Sequence, residues 1–333
     1  MIIDVHTHFI PKTFIAEARR GRAMDGVHVQ RINGEEWLIH PQGYGYPLLP
    51  TFYDAEAKLA HMNALGIDLA VISIAPPLFF YWTDSQMAGD FCQMANEALA
   101  RFVVEGEGRF AALATVPLQA PEQAARELER AVRELGLRGA LIGTSVEGVP
   151  LDHPKLAPFF TTAERLGVPV VLHPYYVGMR PELADYYFTN LIGNPLDTTI
   201  AAARMIFSGF LDRYPHLNVV LVHAGGFLPY QVGRLDHGFQ VRPETQAHIH
   251  RPPSTYLQRF YFDTITHASL PLQFLVNLVG ADHVLLGTDI PFDMADTQFQ
   301  DHLAPLAPEV KERIMGQNAL TLFGLEGQPS SDS

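Results

Sequence analysis

His6 and His8 close the run Ile2-Ile3-Asp4-Val5-His6-Thr7-His8, and His173 closes Val170-Val171-Leu172-His173. His223 closes Val219-Val220-Leu221-Val222-His223, and Asp289 follows Val284-Leu285-Leu286-Gly287-Thr288. Imidazole and carboxylate together suit a divalent cation such as zinc at about 2.0–2.2 Å, and an added water leaves the open position that catalysis needs. In a strand, residues i and i+2 point to the same side, so His6 and His8 can grip one cation. The pair alone is not specific. Taken singly, His173 and His223 are more often core or rim histidines than ligands, and Asp289 suits a turn. Their joint placement at four predicted strand ends is what carries the argument, because eight-stranded α/β barrels put their chemistry at the C-terminal ends of their strands. Far apart in sequence, these residues meet only if the chain closes into a barrel. The pattern points to an enzyme.

The elements that must position them alternate regularly. Strand one is read at Ile2 to Val5, leading into the histidine pair. A detour follows: Val27–Ile32 and Glu35–Ile39 flank Asn33-Gly34, a hairpin signal, giving a small β-hairpin insertion after strand one. Asp54 to Leu65 has helical periodicity, capped by Asp54 and stopped by Gly66. Further strands are read at Leu69–Ile74, Phe110–Thr115, Gly139–Ile142, Pro169–Leu172, Asn218–Val222, Phe260–Asp263 and His283–Leu286. Helices are read at Gln86–Val104, Pro121–Leu135, Pro154–Leu166, Asp197–Phe210, Leu270–Leu278 and Pro308–Met315. Alternation of this kind implies parallel strands joined by right-handed crossovers, and eight of them imply closure. An open doubly wound sheet is the competing architecture, but no glycine-rich phosphate turn follows an early strand. The expectation is an α/β protein with a (β/α)8 TIM-type barrel as a single domain over 1–325, and a disordered tail at 326–333.

Composition sets the outer limits. The chain has 333 residues, 47% of them hydrophobic, which is ample for a large core. A net charge of −13 argues against nucleic acid, which favours basic faces. It also means that an anionic substrate must be drawn in locally, by a metal or an arginine. The sole cysteine, Cys92, excludes an internal disulfide or a cysteine-rich zinc knuckle, and its helical surroundings make it buried filler. With no basic-then-apolar leader and no apolar run near eighteen residues, the reading is a soluble, cytoplasmic protein without a membrane partner.

From Met1 to about Leu325 the chain resembles the amidohydrolase superfamily, and within it the branch of 2-amino-3-carboxymuconate-6-semialdehyde decarboxylase and related non-oxidative decarboxylases. The matching segments are Ile3-Asp4-Val5-His6-Thr7-His8-Phe9-Ile10-Pro11, Val168 to Pro174, Val222-His223-Ala224-Gly225-Gly226, Gly233-Arg234-Leu235-Asp236 and Leu286-Gly287-Thr288-Asp289. The resemblance implies one zinc per chain (Mn2+ being an alternative), held by His6, His8, His173 and Asp289 with a water. It places His223 beside that water and makes Arg234 a binder of a substrate carboxylate, in some members across a homodimer interface. Asp263 and His267, at the end of strand seven, are candidates for supporting hydrogen bonds, and His237 for positioning Arg234. Asp4 shares parity with the histidine pair but should lie deeper, as structural support.

One departure bears on the substrate. The aminocarboxymuconate enzyme carries a second substrate-binding arginine just before the stretch that matches Tyr53-Asp54, whereas no Lys or Arg lies between Arg31 and Lys58 here. A carboxylate without that partner forfeits a strong charge-assisted contact. This argues for a less charged, aromatic acid, whose ring Leu78-Phe79-Phe80-Tyr81-Trp82 could wall unless that run is core. Two mechanisms fit the same ligands. In non-oxidative decarboxylation of a small unsaturated or aromatic acid bearing a hydroxyl or amino group, Asp289 is the acid and His223 orders water or shuttles the proton. In the alternative, an activated water hydrolyses a lactone, amide or C–C bond. The resemblance favours decarboxylation.

Overall fold

The computed structural model describes residues 1–175 and 181–326, so the expected tail, apart from Glu326, lies outside the described residues. Eight parallel strands form its centre: β1 (Ile3–Phe9), β2 (Leu69–Ile74), β3 (Phe110–Ala112), β4 (Ala140–Gly143), β5 (Val170–His173), β6 (Val219–Leu221), β7 (Phe260–Asp263) and β8 (Val284–Leu285). They pair in sequence order as two sheets, β1-β2-β3 and β4-β5-β6-β7-β8. Backbone hydrogen bonds join the two sheets at both edges. On one side Val5 N donates to Leu286 O (2.9 Å) and Asp289 N to His6 O (2.7 Å). On the other, Ala114 N donates to Gly139 O (2.8 Å) and Leu141 N to Ala114 O (3.0 Å). The sheet therefore closes on itself as a (β/α)8 barrel. Its strands, covered on both faces, are near-continuous apolar runs, and Val170-Val171-Leu172 and Val219-Val220-Leu221 are wholly buried.

The principal surrounding helices are α1 (Ala55–Leu65), α2 (Ser85–Glu105), α3 (Pro121–Arg133), α4 (Ala157–Leu166), α5 (Asn194–Phe207), α6 (Leu228–Val241) and α7 (Ser269–Val279). α1 begins where the Asp54 carboxylate accepts from Ala57 N (3.0 Å) and ends at Gly66, whose φ of 71° suits a residue without Cβ. α6, which carries Arg234 and His237, has no counterpart in the sequence reading. Its two glycines lower helix propensity, and no side chain caps its start.

Between β1 and α1 the strands His28–Ile32, Glu35–Ile39 and Gly45–Pro47 form an antiparallel sheet in sequence order. The expected hairpin turns at Asn33 (φ 52°) and Gly34 (φ 88°), both left-handed as a two-residue turn of this kind requires. The third, three-residue strand is too short to announce itself. Strand one runs further than expected, to Phe9, so His6 and His8 lie inside it rather than beyond its end.

Candidate metal centre

The barrel brings His6, His8, His173 and Asp289 together at its C-terminal mouth. All four are buried, and one ligand-competent atom from each lies within 4.8 Å of the others. The three imidazole rings stand edge to face, with centroids 5.0 Å (His6–His8), 5.1 Å (His6–His173) and 5.3 Å (His8–His173) apart. His8 Nε2 lies 3.0 Å and His6 Nε2 3.4 Å from Asp289 Oδ1. His223 Nε2 lies 3.6 Å from the other oxygen, Oδ2.

Each ring is oriented from behind. Nδ1 of His6 donates to Asp263 Oδ2 (2.8 Å), Nδ1 of His8 to the Ile74 carbonyl (3.3 Å), and Nδ1 of His173 to the Pro174 carbonyl (2.6 Å). With a proton required on each Nδ1, each Nε2 carries a free lone pair toward the centre. Nε2 of His6 and of His173 are buried without a hydrogen-bond partner. Three convergent imidazole nitrogens and a carboxylate, two of those nitrogens unsatisfied, fit a divalent cation.

At His8, His173 and Asp289 the electrostatics favour the same forms. Burial pushes His8 down to about 4 and holds His173 well below the usual histidine range, helped by the neighbouring rings. For His6 burial works in the same sense but is outweighed by Asp289 and Asp263, which raise its pKa. Burial opposes ionisation of Asp289, yet the charge of His6 and contacts from His223 and His8 hold its carboxyl well below the ordinary range. Neutral His8 and His173 and an ionised Asp289 are ligand-ready.

Asp263 organises a second feature. Besides His6, it accepts from His223 N (2.9 Å), Ala224 N (2.7 Å) and Ile265 N (3.1 Å). His223, Ala224, Gly225 and Gly226 all have left-handed backbones, with φ of 52°, 54°, 75° and 63°. Such a run is strained for His223 and Ala224, and the Asp263 carboxylate fastens it at its first two amides. Asp4 also proves structural: its Oδ1 accepts from His6 N (3.0 Å) and Thr288 N (3.1 Å), and its Oδ2 from Thr288 Oγ1 (2.6 Å). The sequence reading missed Lys58, which is fully buried and donates to Thr7 Oγ1 (2.8 Å), while Thr7 Oγ1 donates to the Ile290 carbonyl (2.8 Å).

A cavity of about 330 Å³ opens onto the centre, reached by His223 and Asp289. His267 lines it, exposed and left-handed (φ 54°), as do Asn190, Asn194 and Thr266, none of which stood out in sequence. Arg234 and His237 do not line it within a single chain; both lie exposed on α6. The aromatic run does not line it either. Phe79, Phe80 and Tyr81 are core residues, with Phe79 stacked on Tyr81 and the Tyr81 hydroxyl accepting from Gly143 N (3.2 Å).

Barrel, ligand geometry and cavity together define a metal-dependent enzyme of the amidohydrolase type. The amidohydrolase family model matches residues 3–325, and the chain belongs to that family. It falls in the branch of 2-amino-3-carboxymuconate-6-semialdehyde decarboxylase and related non-oxidative decarboxylases. The decarboxylase of that name from Dictyostelium discoideum is 32% identical over 97% of this chain and 92% of its own length. Among solved structures, the IDCase of Metarhizium anisopliae superposes with a TM-score of 0.85 at 28% identity, covering 99% of this chain and 98% of that one. A dihydroxybenzoic acid decarboxylase from Polaromonas, solved with manganese and the inhibitor 2-nitroresorcinol, gives a TM-score of 0.79 at 27% identity, covering 97% of each chain.

Proposed function

We propose that this protein is a metal-dependent non-oxidative decarboxylase of a small unsaturated or aromatic acid that carries a hydroxyl or amino group beside its carboxylate. The observation that carries this reading is the convergence of His6, His8, His173 and Asp289, with His223 beside Asp289, at a cavity of about 330 Å³. The relatives that match nearly the whole chain are named as decarboxylases, which supports it over hydrolysis. The catalytic unit is the single domain over 1–325, in keeping with the span of the family match.

The four residues would hold one divalent ion, zinc on the ligand types, with manganese the ion named in the Polaromonas structure. When bound, that ion supplies positive charge that orients the substrate carboxylate and its neighbouring hydroxyl and stabilises developing negative charge. The remaining work belongs to the chain. Asp289 rests ionised, so the proton that it delivers would come from solvent by way of His223 Nε2, which faces Asp289 Oδ2 at 3.6 Å and is reprotonated by solvent after each turnover. From Asp289 it goes to the carbon that bears the carboxylate. The carbon–carboxylate bond then breaks, its electron pair restores the π system, and carbon dioxide leaves. The adjacent hydroxyl or amine donates the electron density that makes carbon basic enough to accept the proton.

Arg234 on exposed α6 is proposed to reach an anionic group of the substrate in a neighbouring chain of a homodimer, with His237 one turn away to position it. Exposed apolar side chains on the same flank support an assembly: Tyr230 and Leu270 are 78% and 77% exposed, and the Tyr230 and Phe274 rings lie 6.0 Å apart. No described helix is long and apolar enough to cross a membrane, and a cytoplasmic location is proposed.

The test is a panel of hydroxybenzoates, aminobenzoates and carboxymuconates assayed for released carbon dioxide, with lactones and amides assayed for hydrolysis. Solvent deuterium should appear at the carbon that lost its carboxylate. Hydrolysis without decarboxylation across the panel would overturn the reading.

A further inference from the structure

The turn that leads into α5 is widened: Thr189–Gly193 is a π-helical turn running directly into Asn194–Phe207. Turns of this kind recur at functional sites because the extra residue re-aims the side chains around it. Asn190 and Asn194 stand four residues apart across it, and both line the cavity that His223 and Asp289 share. Both are half-buried, and no hydrogen bond joins either side-chain amide to another described residue. The turn is docked against the His223 loop without a gap, since a Cβ at Gly226 would collide with the Pro195 carbonyl, and Phe227 N donates to Thr199 Oγ1 (2.8 Å). The two amides are therefore held beside the reacting centre by packing, with their hydrogen-bonding capacity unspent.

We infer that Asn190 and Asn194 form a neutral amide subsite that binds a second, uncharged hydroxyl of the substrate, remote from the group beside its carboxylate. An amide offers both a donor and an acceptor, and a hydroxyl uses both at once. A hydroxyl also needs no charged partner, and no lysine or arginine of the same chain lines the cavity among the described residues. A site that presents partly buried amides rejects an analogue lacking the hydroxyl, because the amides are then desolvated without a partner.

The inference rests on the decarboxylase reading for its substrate class, so two measurements separate them. Carbon dioxide release from salicylate and from 2,3-, 2,4-, 2,5- and 2,6-dihydroxybenzoate tests the reaction. Equilibrium binding of the same acids to the metal-loaded protein, by calorimetry, tests the subsite whatever the reaction proves to be. At least one dihydroxybenzoate should bind about tenfold more tightly than salicylate, the yield of one to two well-made hydrogen bonds. Asn190→Leu or Asn194→Leu should bring that ratio to within about threefold of unity. Should a leucine variant not fold, the isosteric Asn190→Asp and Asn194→Asp decide instead, since a carboxylate there repels an acid and should weaken dihydroxybenzoate binding about tenfold or more. Absence of any preference in the parent protein, or a preference that survives in folded variants at both positions, overturns the subsite. Failure of these acids, and of the aminobenzoates and carboxymuconates, to release carbon dioxide overturns the reaction and leaves the binding ratio to judge the amides.

Discussion

Replacing Asp263 by asparagine keeps its shape but weakens the acceptor that faces Nδ1 of His6 at 2.8 Å. Outer partners of this kind set ring orientation and ligand basicity, and their loss costs roughly 10–100-fold in metal affinity. Asp263→Asn should therefore hold metal that a chelator removes at correspondingly lower concentration, measured by metal content after dialysis. His6→Ala or His173→Ala should lose metal and activity together, and full occupancy in either would strike that residue from the proposed ligand set. His223→Ala is expected to differ. Its Nε2 faces Asp289 Oδ2 at 3.6 Å, and it is not one of the four residues whose ligand atoms converge. It should keep most of its metal while turnover falls by about 10²–10⁴-fold, the usual yield of a positioned proton-transfer group. Loss of metal in this variant would make His223 a ligand.

At the scale of elements, the predicted cap of α1 is in place, with the Asp54 carboxylate on Ala57 N. Asp54→Ala should cost about 1 kcal/mol, lowering the thermal midpoint by about 1–2 °C in a chain of this size, with metal content unchanged. What the sequence made legible follows from how locally each feature is encoded. The eight strands announced themselves as apolar runs buried on both faces, and the hairpin through Asn33-Gly34. The convergence of these histidines with Asp289 was readable because barrels put chemistry at strand ends, although His6 and His8 prove to lie within β1. α6 was hidden by Gly233 and Gly238, and the helix Lys12–Arg19 by a start at Pro11 that no side chain caps. Asn190 and Asn194 had no readable pattern, since a π turn has no sequence signature and their shared cavity exists only in three dimensions. Arg234 was legible only through the family resemblance. Its proposed partner lies in a second chain, which neither one sequence nor one barrel contains.

For the whole molecule, acid should be destabilising through histidines that are buried neutral. Burial pushes His40 down to about 3, against an ordinary value of 6.5. Between those values the unfolded chain takes up a proton that the folded chain refuses, so the stability present above pH 6.5 is lost progressively as pH falls. Thermal midpoints measured from pH 7 to 4.5 should fall less steeply for His40→Gln than for the parent, and parallel curves would count against this account. The assembly is tested by sedimentation. A dimer is expected, and Tyr230→Glu combined with Leu270→Glu should dissociate it by placing charge in the exposed apolar flank. A fully active monomer would defeat the role given to Arg234. The seam between β1 and β8 has a consequence for synthesis. Of the eight barrel strands β1 leaves the ribosome before the others and β8 after them, and His8 and Asp289, in contact across that seam, are 281 positions apart. A nascent chain that stops after Asp263 holds every histidine of the cluster but lacks both the carboxylate and the edge on which β1 must lie. On the proposed ligand set, a chain that stops before Asp289 lacks the carboxylate and should hold the ion less tightly, so metal content is expected to report molecules whose barrel has closed.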